Sequence, residues 1–245
     1  MKLHIIRIKG NDYSEKAAKR CFDSIVKFYP NSAFIEENLY FNAITPRDNP
    51  EKILERHGIK TLKHFIEPYS RWQNVLAAFT SHFSIWKKIL ETNKASFIFE
   101  HDAVLVDGLP VQTVKKNLTN NANSPYVFKL KPHHMLGDIV NIGHPSYGKW
   151  NTPPNIGINP LTSKRYFPGA HAYYVTPNGA KLLIKTAIER AGPTDVFIHL
   201  DRFPDLHEWY PYSAIAQDNF STIQNETGCQ AKHGSVKERY KLVKV

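Results

Sequence analysis

Arg71 to Thr92 sets Trp72, Val75, Leu76, Phe79, Phe83, Trp86 and Leu90 at steps of three and four. Only a helix lying along a core can bury so broad an apolar stripe. Asn93-Lys94 leads from it into Ala95-Ser96-Phe97-Ile98-Phe99, a run suited to a buried strand that stops at Glu100-His101-Asp102. The expectation is therefore a helix–strand unit that delivers two carboxylates to the carboxyl end of a sheet, where ligands of open α/β sheets bind. In an extended tripeptide the first and third side chains share a side, so Glu100 and Asp102 are expected to act together. Carboxylate oxygens suit Mg²⁺ or Mn²⁺, which reach proteins through one or two carboxylates plus substrate phosphates. The pattern points to a metal-bound nucleotide. For three residues alone, a solvated acidic turn competes with that reading.

The rest of the chain repeats the alternation. Leu3 to Ile8 reads as a strand, and Asn11 to Tyr29 as a helix whose Ala17, Ala18, Cys21, Phe22, Ile25 and Val26 step at helical spacing. Ser32 to Leu39 is a second expected strand. Asn49-Pro50-Glu51 looks like a capped helix start running to His57-Gly58. Tyr126–Leu130 and His171–Val175 are further strands, the latter entering a helix at Thr176-Pro177-Asn178-Gly179 with Ala180, Leu183, Ile184, Ala187 and Ile188 on its apolar face. Strands alternating with helices give an α/β layered domain.

Composition narrows the classes. The 245 residues allow a sizeable core, and no apolar run reaches membrane-spanning length. Met1-Lys2-Leu3-His4-Ile5-Ile6-Arg7 lacks a signal-peptide core, which places the expectation in the cytoplasm. Two cysteines, Cys21 and Cys229, are too few for a disulfide framework or a zinc site, and Cys21 falls on a helix's apolar face. The balance of 32 Lys+Arg against 22 Asp+Glu, a formal +10, favours a polyanionic partner. Lys232, Lys237, Arg239, Lys241 and Lys244 make the last segment especially basic, and a merely solvated tail is the plain alternative.

Lys131 to Pro168 differs from the periodic segments, being rich in Pro and Gly. Its Tyr147, Trp150, Tyr166 and Phe167, interleaved with Lys149, Lys164 and Arg165, suit either stacking on bases or sugars or packing against the core.

Several segments together resemble glycosyltransferase family 25, which includes lipooligosaccharide and collagen galactosyltransferases. Ala77-Ala78-Phe79-Thr80-Ser81-His82-Phe83-Ser84-Ile85-Trp86 is similar to the family's Ser-His helix, and Phe97 to Ala103 to its Glu-Asp-Asp strand end. Gly169 to Val175 with Gly179 to Leu183 resembles its strand–turn–helix signature. Pro193-Thr194-Asp195 and Tyr210-Pro211-Tyr212 through Ile223 resemble its closing pattern. The likeness covers roughly residues 70 to 225. It departs at His101, where the family has Asp. That histidine reads as a structural side chain pointing away, an added ligand, a donor-specificity feature or a mark of lost activity.

The resemblance implies a GT-A-type fold over 1–225, a Rossmann-like mixed sheet flanked by helices, with 226–245 as a basic tail. It implies transfer of a sugar from a UDP-sugar to a hydroxyl, with inversion, assisted by Mn²⁺ or Mg²⁺. On that likeness Asp102 takes the metal, Glu100 the nucleotide side, and Asp195 is first choice for the base. Asp201 and Asp218 stay open, and so does a plain capping role for Asp195. His82 is either a donor-site contact or a structural histidine packed near Phe83 and Trp86. His133-His134 shows no metal-ligand pattern.

The acceptor follows from charge rather than likeness. Hydroxymethylated bases in bacteriophage DNA and an anionic surface glycan such as lipooligosaccharide both present phosphates. The compact chain and the aromatic, basic loop tilt the expectation to DNA. A binder of nucleic acid or glycan on a decayed transferase scaffold is the alternative of another class. A nuclease is disfavoured, since two-metal chemistry calls for more convergent acids.

Overall fold

Leu3 and Ile5 project from one side of the first strand and His4 and Ile6 from the other, and all four are buried. The computed structural model describes residues 1–29, 39–60, 65, 71–109, 111–115, 126–130, 137–144 and 154–217, with the side chains of 111–115 and 126–130 left aside. In chain order the strands are β1 (Lys2–Arg7), β2 (Tyr40–Asn42), β3 (Ser96–Glu100), β4 (Ala103–Leu105), β5 (Val111–Lys115), β6 (Tyr126–Leu130), β7 (Ile139–Asn141), β8 (Gly157–Pro160), β9 (Ala172–Val175), β10 (His207–Tyr210) and β11 (Ala214–Ala216). The helices are α1 (Asp12–Phe28), α2 (Pro50–Glu55), α3 (Trp72–Thr92), α4 (Pro177–Arg190) and α5 (Thr194–Phe197), with a 3₁₀ turn at Pro46–Asp48 before α2.

The main sheet has seven strands in the order β2-β1-β3-β9-β7-β10-β8. β1 pairs in parallel with β2 and β3, and β9 runs antiparallel to both β3 and β7. β10 is parallel to β7 and antiparallel to β8. The carboxyl ends of β1, β2, β3, β7 and β10 therefore lie along one edge of the sheet. The expected mixed α/β architecture is the one observed.

Strand alternation divides the core in two. Ile6, Ile98, Tyr173 and Val175 pack with Phe79, Phe83, Trp86, Leu183 and Phe197 of the α3, α4 and α5 layer. Leu3, Ile5, Phe97, Phe99 and Tyr174 pack with Ala18, Cys21 and Ile25 of α1. Rings of the first cluster meet edge-on or tilted: Phe79 lies 5.8 Å from Trp86 and 5.5 Å from Phe197, both near perpendicular. Such pairs add about 0.5–1.5 kcal/mol each to area burial.

Local signals explain most boundaries. Asn11 caps α1 by accepting from the Ser14 N–H at 2.9 Å, and Thr176 caps α4 by accepting from the Gly179 N–H at 3.0 Å. Asn93, left-handed at φ 50°, ends α3. Asn49 departs from expectation. It is left-handed at φ 53° and makes no side-chain cap, because it turns the chain between the 3₁₀ segment and α2, which ends at Glu55 rather than at Gly58. Leu90 of the expected stripe is exposed while Ile85 and Ile89 are buried, since α3 is covered on a wider arc than a narrow stripe.

Residues 32–38 of the second expected strand lie outside the described residues; among the described residues β1 pairs with Tyr40–Asn42. The expected loop 131–168 contains two strands of the main sheet, β7 and β8. Three and four residues long, they are too short to show a period. Phe167 is fully buried in the α3-side core, Tyr166 stacks on His199 at 6.3 Å, and Arg165 pairs with Asp201. For Phe167, packing replaces the base-stacking role. Tyr147, Lys149 and Trp150 fall outside the described residues, as do His133, His134, Asp218 and the tail. No helix among the described residues is long and apolar enough to cross a membrane.

Glu208, fully buried in β10, anchors the chain after β8. It accepts from the Thr162 N–H and hydroxyl at 2.9 and 3.0 Å, from the Ser163 N–H at 3.2 Å, and from the Ser163 hydroxyl. A buried carboxylate is tolerated when donors surround it in this way.

His4 carries a pH dependence. Burial first, then the charges of Lys88 and Lys2, lower its pKa from 6.5 to about 4. In that window the unfolded chain binds a proton that the folded chain refuses, so stability falls as pH drops below the unfolded value. Urea unfolding at about pH 7 and about pH 5 should show His4 responsible for roughly 2 kcal/mol of lost stability. That part of the loss should be absent in His4→Leu.

Candidate active site

β3 carries its even-numbered side chains toward α3, and its last residue, Glu100, follows the pattern. Glu100 Oε1 lies 3.1 Å from His82 Nε2. The imidazole is 1% exposed and the carboxylate side chain 30%. His82 Nδ1 lies 2.8 Å from the Tyr173 hydroxyl, which also accepts the Trp86 indole N–H at 2.9 Å. His82 and Trp86 stand one helical turn apart on α3, and Tyr173 faces them from β9. The helix and two strands thus support a single carboxylate.

Electrostatics at Glu100 are a contest. Burial pushes its pKa up, whereas the His82 hydrogen bond, and beyond it the charge that protonated His82, His101 and His171 would carry, pull it down, and the net result is lowered. The group is held as a carboxylate.

The extended backbone ends at Glu100, and His101 and Asp102 form a turn. Asp102 is 9% exposed, and its carbonyl accepts from the Gln217 N–H at 2.9 Å. After burial, its charge contributes to raising the Cys21 thiol on α1.

Neighbouring strands supply a rim. The His171 carbonyl, just before β9, accepts from the Glu100 N–H at 2.8 Å. His171 is itself buried and leans on Gly143, just past β7. Asn141 fixes that turn: its side chain accepts from the Gly143 N–H at 3.1 Å and donates to the Gly143 carbonyl at 3.0 Å. His144 follows, with its ring 4.5 Å from that of Tyr212. Burial, then the His171 charge, lower its pKa, so it stays neutral near neutral pH.

The expected site residues fall into two places. Glu100, His82 and Asp102 belong to the end of β3. Asp195 sits in the first turn of α5, where its Oδ1 accepts from the Val196 N–H at 2.9 Å. Phe197 of the same turn stacks on Trp86 at 5.7 Å, joining α5 to the aromatic cluster behind Glu100. Asp201, largely exposed, is engaged by Arg165 and by His199 Nδ1 at 3.4 Å. Among the described residues no group of three or more His, Cys, Asp and Glu side chains is arranged to hold a metal. A metal on Asp102 would complete its shell with substrate oxygens and water, as Mg²⁺ commonly does.

Sequence reasoning placed Trp86 near His82 but missed Tyr173, His171 and Gly143. A signal existed for Tyr173: in the buried run Ala172-Tyr173-Tyr174-Val175 each hydroxyl faces the core and needs a partner. Gly143 is required by space. A β-carbon there would stand 2.5 Å from His171 Nε2 and 2.7 Å from Cε1. Gly143→Ala should therefore move the His171 ring, visible as a changed imidazole resonance, and cost about 1–3 kcal/mol in denaturant unfolding. An unmoved ring at unchanged stability would contradict this packing.

No curated protein matches the chain in sequence. The family model for glycosyltransferase family 25 (LPS biosynthesis protein) matches residues 32–198, a span that takes in α3, the β3 acids, His171 and Asp195. That is well over half of the 245 residues, and the chain belongs to glycosyltransferase family 25.

Proposed function

We propose that this glycosyltransferase moves a sugar from a UDP-sugar to a hydroxyl of a polyanionic acceptor, with Mg²⁺ or Mn²⁺ and with inversion. The observation that carries the reading is Glu100, a partly exposed carboxylate held at the carboxyl edge of a mixed sheet, with Asp102 two residues on. Glu100 is held as an acceptor for hydroxyls of the nucleotide ribose or the sugar. Asp102 presents the hard oxygens that a divalent cation prefers, and the cation would neutralise the departing diphosphate.

In the reaction the acceptor oxygen attacks the anomeric carbon and forms the new C–O bond as the bond to the diphosphate oxygen breaks. The acceptor's proton goes to a carboxylate, for which Asp195 is the candidate, and UDP leaves with the bonding electron pair. The transferase unit is assigned to 1–225, working in the cytoplasm, with 226–245 as a basic tail that adds attraction for phosphates.

Two acceptors fit a +10 chain. Hydroxymethylated DNA rests on that charge. An anionic surface glycan is favoured by the family's description as an LPS biosynthesis protein and by Phe167 being spent on packing.

The deciding assay is UDP release with Mn²⁺ over a panel of UDP-sugars, alone, with hydroxymethylcytosine DNA, and with lipooligosaccharide. Release should be stimulated by one acceptor and fall at least about a hundredfold in Asp102→Ala and Asp195→Asn. With DNA as acceptor, stimulation should weaken steeply as salt rises. No release from any sugar, together with no binding of UDP, would overturn the reading.

A further inference from the structure

The buried polar chain behind Glu100 has a direction that its chemistry fixes. The indole N–H of Trp86 can only donate, so the Tyr173 oxygen accepts it. The Tyr173 hydroxyl is fully buried, so its proton must go to an acceptor inside the protein, and His82 Nδ1 stands at 2.8 Å. With Nδ1 accepting, the ring proton of neutral His82 sits on Nε2 and is donated to Glu100 Oε1 at 3.1 Å. The other neutral tautomer would set a bare nitrogen against a carboxylate oxygen. A doubly protonated ring would make the Tyr173 oxygen accept twice and strand its hydroxyl proton.

We propose that Tyr173 and Trp86 are positioning residues of the transferase site: they hold His82 as its Nε2–H tautomer and thereby fix the Glu100 carboxylate toward the donor. The sequence Trp86, Tyr173, His82, Glu100 crosses from the aromatic core to the sheet edge with every donor matched to an acceptor. Burial, then the Glu100 charge, raise the Tyr173 hydroxyl well above its ordinary range, so it remains a donor at any working pH. His82 is 1% exposed and acts through Glu100 rather than on the donor itself. The carboxylate oxygen not engaged by His82 is left for a substrate hydroxyl. The role given to Glu100 rests on the proposed function, whereas the tautomer of His82 does not.

The test is long-range ¹H–¹⁵N spectroscopy of the full chain labelled at histidine nitrogens, with His82 assigned through His82→Gln. The wild type should show a pyridine-type Nδ1 and a pyrrole-type Nε2 for His82. Tyr173→Phe removes only the hydroxyl. It should move the pyridine-type Nδ1 signal downfield, as a ring nitrogen that loses its donor does, and raise the donor KM about tenfold with a smaller change in kcat, as loss of an outer-shell partner does. Trp86→Phe, which keeps a ring in the core, should shift the same signals in the same direction. A proton on Nδ1 in the wild type would overturn the proposal, and so would an unchanged donor KM in Tyr173→Phe. Because the wild-type tautomer is read without any variant, a variant that does not fold cannot shield the proposal. Absence of UDP binding and release in a wild type with the expected tautomer would count against the transferase reading alone.

Discussion

A carboxylate at the end of a buried strand stays charged only if the protein itself donates to it. At Glu100 that donor is His82, an imidazole with almost no access to water, and its N–H together with the neighbouring imidazoles outweighs the cost of burial. Much of the site's architecture follows from supporting this one hydrogen bond. Helix α3 must bury His82 and Trp86 on the same face, β9 must lie beside β3 to bring Tyr173 over, and α5 must close the aromatic cluster through Phe197. The apolar packing and the polar chain are therefore one construction: the rings exclude the water that would otherwise compete for each donor.

The sheet topology does the gathering. Because β1, β3, β7 and β10 run the same way, their carboxyl ends bring Glu100, Asp102, Gly143, His144 and Tyr212 to one edge, although they are far apart in sequence. The antiparallel β9 adds His171 from its amino end. Membership of glycosyltransferase family 25 makes the chain a sugar transferase, and the proposed function seats donor and acceptor at this edge. The turn after Glu100 carries Asp102 two residues beyond the carboxylate that His82 holds.

Long periodic segments made much of the fold legible. The α3 stripe, the α1 face and the Thr176 start all state their structure in spacing and caps, and the run to Glu100 marks the sheet's working edge. β7 and β8 could not be read, because three or four residues between glycines and prolines carry no period and gain strand geometry from their neighbours. Asn49 misled for a related reason: Asn both caps helices and tolerates left-handed backbone, and the chain uses the second property. At the site, Glu100, His82 and Asp102 were visible as motif residues, but which groups meet was not. The pairing of His82 with Tyr173 spans β3 and much intervening chain, and the Gly143–His171 contact depends on two strand ends that only the folded sheet brings together.

The most direct test of the account is a backbone amide map of the folded protein during titration with UDP and Mg²⁺. The account predicts that the largest shifts cluster at Glu100–Asp102, Gly143–His144 and Gly169–His171, along the carboxyl edge of the sheet. Shifts confined to the opposite edge, or spread over the outer faces of α1 and α4 with the β3 end unmoved, would contradict it.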